Sequence, residues 1–471
     1  MLLPSYIPNP ARGRVVAVCV LCLIALPLQL AIAETKSDSE RLERLERAVE
    51  LLEKRNAELE QEVRSLKKQK PSPPALAEEK RSRFVPDPKS SVVEKVETKE
   101  EKKPVYVVAG AGEYKLTLGG YIHANFEGGD VSAFEGRFGL TALNDRFRLR
   151  RARVSITGDY KEEFDFKVEG DFEQSDGLSS STRTSFSSTD IFINWHRFPE
   201  ANLKVGQWKA PFGLESLTSD ALIFTIERSL PTGAIVPERQ LGVMLWGKPL
   251  TNIVPEQKDL VTYYAGIFNG TGRNFNINDN NEFMYVARLE LLPFKGELMG
   301  QEASLKIAGD YLSSRDATGT NISPALNLRV NADGSLSPFV LTSPDERHAY
   351  SFDAWLKIGP FDLIGEYFNE QVTPRGPTFS EFDPHGYYVQ GSYFLVPEKL
   401  QAVVKWESFD PGQVANDGIH SITGGLNYYI RGDALKVMAN YVHTWSDFRE
   451  ANPRFGPDQF DEVILRLQVM F

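Results

Sequence analysis

The sequence predicts an all-β transmembrane barrel of about 16 antiparallel strands, preceded by an α-helical coiled coil. Three observations lead to this fold class. From residue 105 onward, apolar and polar residues alternate in segments of roughly ten residues. The connections between those segments are alternately short and long, and a heptad repeat occupies residues 38–69.

Residues 1–33 have the features of a signal peptide. Arg12 and Arg14 precede the short apolar run VVAVCVLCLIALPL, and the small residues AIA follow it. This run is too short to span a bilayer as a helix, although an N-terminal membrane anchor is the alternative. Both cysteines, Cys19 and Cys22, lie in this segment, so no disulfide or thiol chemistry is expected in the exported chain.

Residues 38–69 predict a periplasmic coiled coil. Leu and Val return at alternating steps of three and four, and Asn56 occupies an a position, where a buried amide fixes the register. A single amphipathic helix packed on its own protein is the alternative. Residues 70–104 are rich in Pro, Lys and Glu and nearly lack aromatic residues, which is typical of a disordered linker.

Residues 105–471 are predicted to form the barrel. In YKLTLGGYIHANF and in FDFKVEGDFE, every second residue is apolar or small and the residues between them are polar or charged. A soluble β-sandwich alternates too, but its strands are usually shorter. Aromatic residues near segment ends would suit the membrane interfaces; these are Tyr160, Phe198, Trp246, Phe294, Tyr311 and Trp445.

The connections between the predicted strands indicate an outer-membrane protein. KEE, GP, PEK and RGD read as tight turns, whereas long connections of about thirty residues occur at 209–238 and 314–346. Short turns at one end and long loops at the other are typical of outer-membrane barrels, whose closure pairs every backbone group. The predicted location is therefore the bacterial outer membrane, with contact to its lipid.

Composition and motifs argue against several other functions. The formal charge is −11, whereas a dedicated nucleic-acid binder would be basic. The sequence has no G-x-S-x-G, P-loop or H-E-x-x-H motif, and its six histidines lack the spacing of metal ligands. We therefore expect no enzyme activity, cofactor, metal site or catalytic residue. A barrel hydrolase with a Ser/His pair at the rim of the lumen is the alternative.

The stretch NDRFRLRRARVSITGDY carries the densest run of basic residues. With Ala152 and its alternate neighbours facing lipid, Arg151 and Arg153 face the lumen. Arg148 and Arg150 would then face lipid, which costs roughly 2–4 kcal/mol for an arginine at mid-depth. The strand must therefore leave the bilayer at this point or carry a β-bulge. A patch on the rim that faces lipopolysaccharide is the alternative.

The connection at 209–238 is long, partly apolar and rich in Pro and Gly. Such a loop is expected to fold into the barrel and narrow the pore, although an outward loop packed at a subunit interface is the alternative. Its charged residues would then lie near the constriction; they are Lys209, Glu215, Glu227, Arg228 and Arg239.

The stretches LRRARVSITGDYKEEFDFKVEGDF and GQWKAPFGLE…ERSLP resemble the phosphate-selective porin O and P family. The resemblance implies a trimeric barrel of sixteen strands, in which an arginine ladder leads anions to a constriction formed by the third loop. It assigns Arg150, Arg151 and Arg228 to cations of that pathway. Two family cations are replaced, by Ser216 after GLE and by Tyr121 after GG, so anion passage is expected and phosphate specificity stays open.

The chain ends on FDEVILRLQVMF, which predicts a closing strand. Its final residue, Phe471, resembles the signal read by the barrel-assembly machinery. The expected function is passive diffusion of small hydrophilic solutes, with anions such as phosphate among the candidates. The alternative is a structural protein whose residues 38–69 bind the cell wall and tether the outer membrane to it.

Overall fold

A computed structural model places sixteen antiparallel strands in one closed barrel. The structure describes residues 114–131, 145–161, 163–172, 186–237, 239–275, 277–316, 328–330, 336–338, 344–375, 380–413, 415–455 and 457–471. The strands are β1 Tyr114–Gly129, β2 Arg146–Tyr160, β3 Phe164–Asp171, β4 Ser187–Phe198, β5 Ala201–Lys209, β6 Arg239–Gly247, β7 Val261–Phe268, β8 Met284–Leu298, β9 Gln301–Asp316, β10 Asp345–Ile358, β11 Phe361–Pro374, β12 His385–Val396, β13 Leu400–Asp410, β14 Ile419–Arg431, β15 Leu435–Ser446 and β16 Gln459–Met470.

The first and last strands close the barrel. They pair antiparallel from Tyr121 opposite Met470 to Gly129 opposite Glu462. Phe471 extends this seam, since it exchanges two backbone hydrogen bonds with Gly120, of 3.0 and 3.1 Å. The predicted strand count and the predicted closing role of the last strand are therefore confirmed.

The connections alternate in length as the sequence predicts. Short turns follow β2, β10, β12 and β14, and in them Lys161, Gly359, Glu398 and Gly432 take the left-handed conformation that a sharp reversal requires. Because the number of strands is even, β1 begins and β16 ends at the end of the barrel that carries these short turns.

The two faces of the wall differ in polarity. On β16, Val463, Leu465, Leu467 and Val469 point outward, whereas Glu462, Arg466 and Gln468 are buried on the lumen side. Trp246 is the exception among the aromatic residues expected at the interfaces. Its side chain is buried inside the barrel. There its ring stacks on that of Tyr264 with ring centroids 6.1 Å apart, and its Nε1 donates to the Asn194 side chain at 3.0 Å.

Helical structure is sparse in the described part of the chain. The α-helices are α1 Leu214–Leu217, α2 Leu230–Ile235 and α3 Asp447–Ala451, and 3₁₀ turns span Pro255–Gln257 and Pro453–Phe455. None of the helices among the described residues is long and apolar enough to cross a bilayer. A separate hairpin pairs Leu328–Val330 with Leu336–Pro338.

The expected signal peptide, coiled coil and linker at 1–33, 38–69 and 70–104 lie outside the described residues.

Candidate functional site

The connection between β5 and β6, hereafter the constriction loop (residues 210–238), lies inside the barrel. Helices α1 and α2 belong to it, and Phe212, Ile226 and Ile235 are fully buried. Phe212 packs on Phe368 of β11 with ring centroids 6.3 Å apart, and Ile226 clusters with Met438 and Ile464 on the lumen side of β15 and β16. These contacts agree with the inward loop that the sequence predicts and not with an outward one.

Carboxylates of the wall hold the backbone N–H groups of the loop. Asp310 accepts from Gly213 N at 2.7 Å, and Glu366 accepts from Leu214 N at 2.6 Å. Glu407 accepts from Leu230 N at 2.8 Å. Because the loop contributes only main-chain atoms to these bonds, they do not depend on its side chains.

Hydrogen-bond donors of the wall hold the loop's carbonyl groups in the same way. Lys436 Nζ donates to Ala221 O at 2.8 Å, and Gln468 Nε2 donates to the same oxygen at 3.1 Å. Arg466 donates to Ile226 O at 2.6 Å. The loop is thus fixed by its backbone on the side formed by β15 and β16.

A β-bulge at Arg150 turns the arginines of β2 toward the lumen. His123 lies opposite Arg151 and Ala124 lies opposite Leu149, so Arg150 is the additional residue. Phe147 and Leu149 are 87% and 52% exposed, whereas Arg148, Arg150, Arg151 and Arg153 are not exposed. Of the two explanations that the sequence allows for this run, the bulge is confirmed.

Glu227 of the constriction loop binds two arginines of β2 and one of β16. Arg150 forms a two-pronged pair with it, since Nε and Nη2 donate at 3.0 and 3.1 Å. Arg466 donates to the same carboxylate at 2.7 Å, and Arg151 lies 3.8 Å away. Burial alone would raise the pKa of Glu227, but attraction to Arg150, Arg151 and Arg466 lowers it below its ordinary value.

Asp220 of the loop lies at the centre of a second cluster, formed by Tyr121, Arg151, Arg153 and Arg228. Its Oδ2 accepts from Arg153 Nη1 at 2.7 Å and from the Tyr121 hydroxyl at 3.3 Å. Arg151 Nε lies 3.3 Å from the same oxygen, and Arg228 pairs with Oδ1. Burial would raise the pKa of Asp220, but the three guanidinium groups hold it well below its ordinary value.

Arg228 pairs with Asp220 and not with Glu215 or Glu227, the two carboxylates that the sequence places near the constriction. It also donates to the main-chain oxygens of Glu215 and Thr218 at 3.1 and 2.8 Å. The Glu215 carboxylate instead accepts from Ser229 N at 2.8 Å. Arg228 therefore stabilises the fold of the loop besides carrying charge.

The other predicted constriction residues lie beside these clusters. Lys209 donates to Ser216 O at 2.5 Å, and Ser216 itself is buried. Arg239 pairs with Asp190 at 2.6 Å, and Lys167 of β3 reaches the same carboxylate at 3.1 Å. Arg239 thus belongs to a separate pair of cations on the wall formed by β3, β4 and β6.

Sequence reasoning missed Asp220, Asp190, Lys167 and the wall residues that hold the loop. Lys167 was identifiable as a lumen residue from alternation alone. Nothing in the order of residues indicates that Asp220, rather than Glu215 or Glu227, meets Arg228, because that contact depends on how the loop folds back.

The described residues give no support for a metal centre. No group of three potential metal ligands occurs among them. The histidines have other partners there, such as Gln468 for His123, Asp447 for His420 and Asp461 for His443.

Comparison with known proteins identifies the family. A model of the family described as phosphate-selective porin O and P matches residues 119–471. Porin O of Pseudomonas aeruginosa is 24% identical over 420 residues, which cover 76% of this chain and 89% of that protein. An uncharacterized protein of Aquifex aeolicus is 23% identical over 432 residues, covering 82% of this chain and 95% of its own.

Solved outer-membrane proteins share the fold at low sequence identity. An anion-selective porin from Comamonas acidovorans superposes with a TM-score of 0.52 at 12% identity, covering 76% of this chain and all (100%) of its own. OmpT of Vibrio cholerae, in a form with loop L8 deleted, gives 0.51 at 11% identity with the same coverage. The family match, together with the closed barrel and its inward loop, shows that this chain belongs to the phosphate-selective porin O and P family and forms an outer-membrane porin.

Proposed function

We propose that this porin lets small hydrophilic solutes diffuse passively across the outer membrane, and that small anions, phosphate among them, contact its arginines on the way. One observation carries the proposal. The closed barrel has an apolar outer face and a charged inner face, and the constriction loop lies against the arginines of β2 inside it. Charge at the narrowest part of a pore decides which ions pass it.

The charge where the loop meets β2 and β16 favours anions, but only weakly. Five guanidinium groups meet three carboxylates on this side of the loop; the groups are Arg150, Arg151, Arg153, Arg228 and Arg466, and the carboxylates are those of Asp171, Asp220 and Glu227. Positive charge is therefore in excess there, whereas Asp310, Glu366 and Glu407 add negative charge where the loop meets β9, β11 and β13. We expect a small preference for anions and no strong preference for phosphate.

The cations differ in how a solute can reach them. The side chains of Arg150 and Arg228 are 14% and 18% exposed, whereas those of Arg151 and Arg153 are only 5% and 8% exposed, because the loop covers them. Arg150 and Arg228 are therefore the proposed contacts for passing anions. Arg151 and Arg153 act on solutes through the field that they add.

The assembly and orientation of the porin belong to the same proposal. We expect a homotrimer, as the family resemblance implies. We also expect a periplasmic coiled coil at 38–69, because Tyr114 lies at the end of the barrel with the short turns, the periplasmic end in such proteins. Phe471 is half exposed at that same end, where the barrel-assembly machinery could bind it.

Recordings from planar bilayers in a potassium chloride gradient test the proposal. The purified protein should form an open pore whose reversal potential has the sign of a slight chloride preference, and a variant lacking 38–69 should conduct equally well. A protein that inserts without conducting would favour the structural alternative, in which residues 38–69 bind the cell wall. A clear potassium preference would exclude the role given to the arginines.

A further inference from the structure

We propose that Asp220 is a built-in counter-anion: its carboxylate occupies an oxyanion site made by Arg151, Arg153, Arg228 and Tyr121, and thereby prevents passing oxyanions from binding in that site. The inference rests on the proposed function, because it concerns the pore that the loop narrows. Removing this one carboxylate should turn the cluster into a binding site for an oxyanion such as inorganic phosphate.

The surroundings of Asp220 are those of a bound anion. Its side chain is 1% exposed, and around it are three guanidinium groups and one phenol hydroxyl. Planar guanidinium groups bind carboxylate and phosphate oxygens alike, because their parallel N–H groups match the spacing of two oxygens. The cluster therefore has the chemistry to bind any small oxyanion that fits it.

The cluster also has more donors than the carboxylate can use. Nε and Nη1 of Arg151 are buried and make no hydrogen bond with any residue that the structure describes. Nε lies 3.3 Å from Asp220 without the alignment of a hydrogen bond. Buried donors of this kind are costly, so a ligand with more oxygens than a carboxylate would gain by reaching them.

The site should survive the loss of the carboxylate, because the loop has other attachments. Lys436 and Gln468 bind the carbonyl of Ala221, the next residue along the chain. Upstream of Asp220, Glu366 holds Leu214 N. Arg153 stays paired with Asp171 at 2.7 Å, so the wall side of the cluster keeps its geometry as well.

The test compares chloride conductance in planar bilayers with and without added inorganic phosphate, for the wild type and for Asp220→Ser. Serine removes the charge of the side chain and most of the volume that the carboxylate fills, so the oxyanion site is vacated. We expect phosphate to leave the wild type almost unaffected. Phosphate should block the variant at a concentration at least about tenfold lower than the concentration that blocks the wild type, since each hydrogen bond to a charged group strengthens binding by about that factor.

Asp190→Ser is the matched control. Asp190 is also a lumen carboxylate held by two cations, Arg239 and Lys167, but it lies outside the cluster. Both variants remove one negative charge from the lumen, so both should shift the reversal potential toward chloride. Only Asp220→Ser should gain block by phosphate.

The outcomes separate this inference from the proposed function. A wild type without conductance would overturn the proposed function. A conducting wild type with equal phosphate sensitivity in all three proteins would overturn the counter-anion. Failure of both Asp220→Asn and Asp220→Ser to insert would overturn it too, because the carboxylate would then be needed to hold the loop.

Discussion

Replacing Arg150 by glutamine should weaken the anion preference of the pore without opening the loop. Arg150 keeps 14% exposure on the lumen side while it pairs with Glu227. After the replacement, Glu227 still has Arg466 at 2.7 Å and Arg151 at 3.8 Å. The loop carboxylate therefore stays compensated, and the main change is the loss of one cation that a solute can touch.

The size of the effect follows from Coulomb's law. A chloride ion about 4 Å from a guanidinium group in water gains about 1 kcal/mol, which corresponds to about fivefold in local concentration. The nearby carboxylate offsets part of this attraction. We therefore expect the chloride-to-potassium permeability ratio to fall by about two- to fivefold.

The assay is the reversal potential in a potassium chloride gradient, with Arg197→Gln as the control. Arg197 lies at the end of β4, is 58% exposed and pairs with Glu163 at 3.5 Å, away from the constriction loop. Its replacement should change the ratio little, because solvent screens an exposed charge. An unchanged ratio in Arg150→Gln, or an equal shift in both variants, would refute the role of Arg150.

Three further predictions concern the barrel and its loop. Deleting Arg150 should preserve membrane insertion, because it removes only the bulged residue, whereas deleting Val154 should abolish insertion, because it inverts the faces of β2. The yield of folded protein, measured by its heat-dependent shift on gels, compares the two variants. Equal yields would contradict the bulge. Gly120→Ala should reduce the yield of folded protein, because the added Cβ would lie 2.2 Å from a carbonyl oxygen and 2.8 Å from the Phe471 ring. Gly391→Ala on β12 should fold normally, because no atom lies within 4 Å of the position that its Cβ would take. The two loop carboxylates have lowered pKa values, so their ion pairs are complete above the ordinary carboxyl pKa and weaken only as the pH falls through the lowered values. The difference in chloride-to-potassium permeability between the wild type and an Asp220→Asn, Glu227→Gln double variant should therefore be as large at pH 4.5 as at pH 7.5, since titration of other lumen groups affects both proteins alike. A difference that vanishes with a midpoint between about 4 and 5 would show that these two groups titrate normally.

The wall of the barrel could be predicted from the sequence because its period is strict. Membrane on one side and water on the other force alternation in every strand, so residues such as Leu465 and Arg466 could be assigned to opposite faces from their positions alone. The bulge at Arg150 was also among the two possibilities that the sequence indicated, because a lipid-facing arginine requires either a β-bulge or a strand that leaves the bilayer. Trp246 escaped prediction, because an aromatic residue suits either the interface or the packed interior.

The interior of the constriction could be predicted only in outline. Apolar content showed that the loop belongs inside, but its partners are set by contacts between residues far apart in the chain, from 77 residues for Arg150 with Glu227 to 239 residues for Arg466 with Glu227. A long loop has no repeating period from which such pairings follow. The choice of Asp220 as the partner of Arg228 therefore needed the folded loop.

The seam between β1 and β16 also constrains how the protein is made. The strand that completes β1 comes after all the other barrel strands in the chain, so the barrel remains open until β16 has been synthesised and exported. Until then, two unpaired edges are available to other chains, and such edges promote aggregation. A chain that loses β16 would keep fifteen strands and never close, so quality control of this porin depends on residues 459–470.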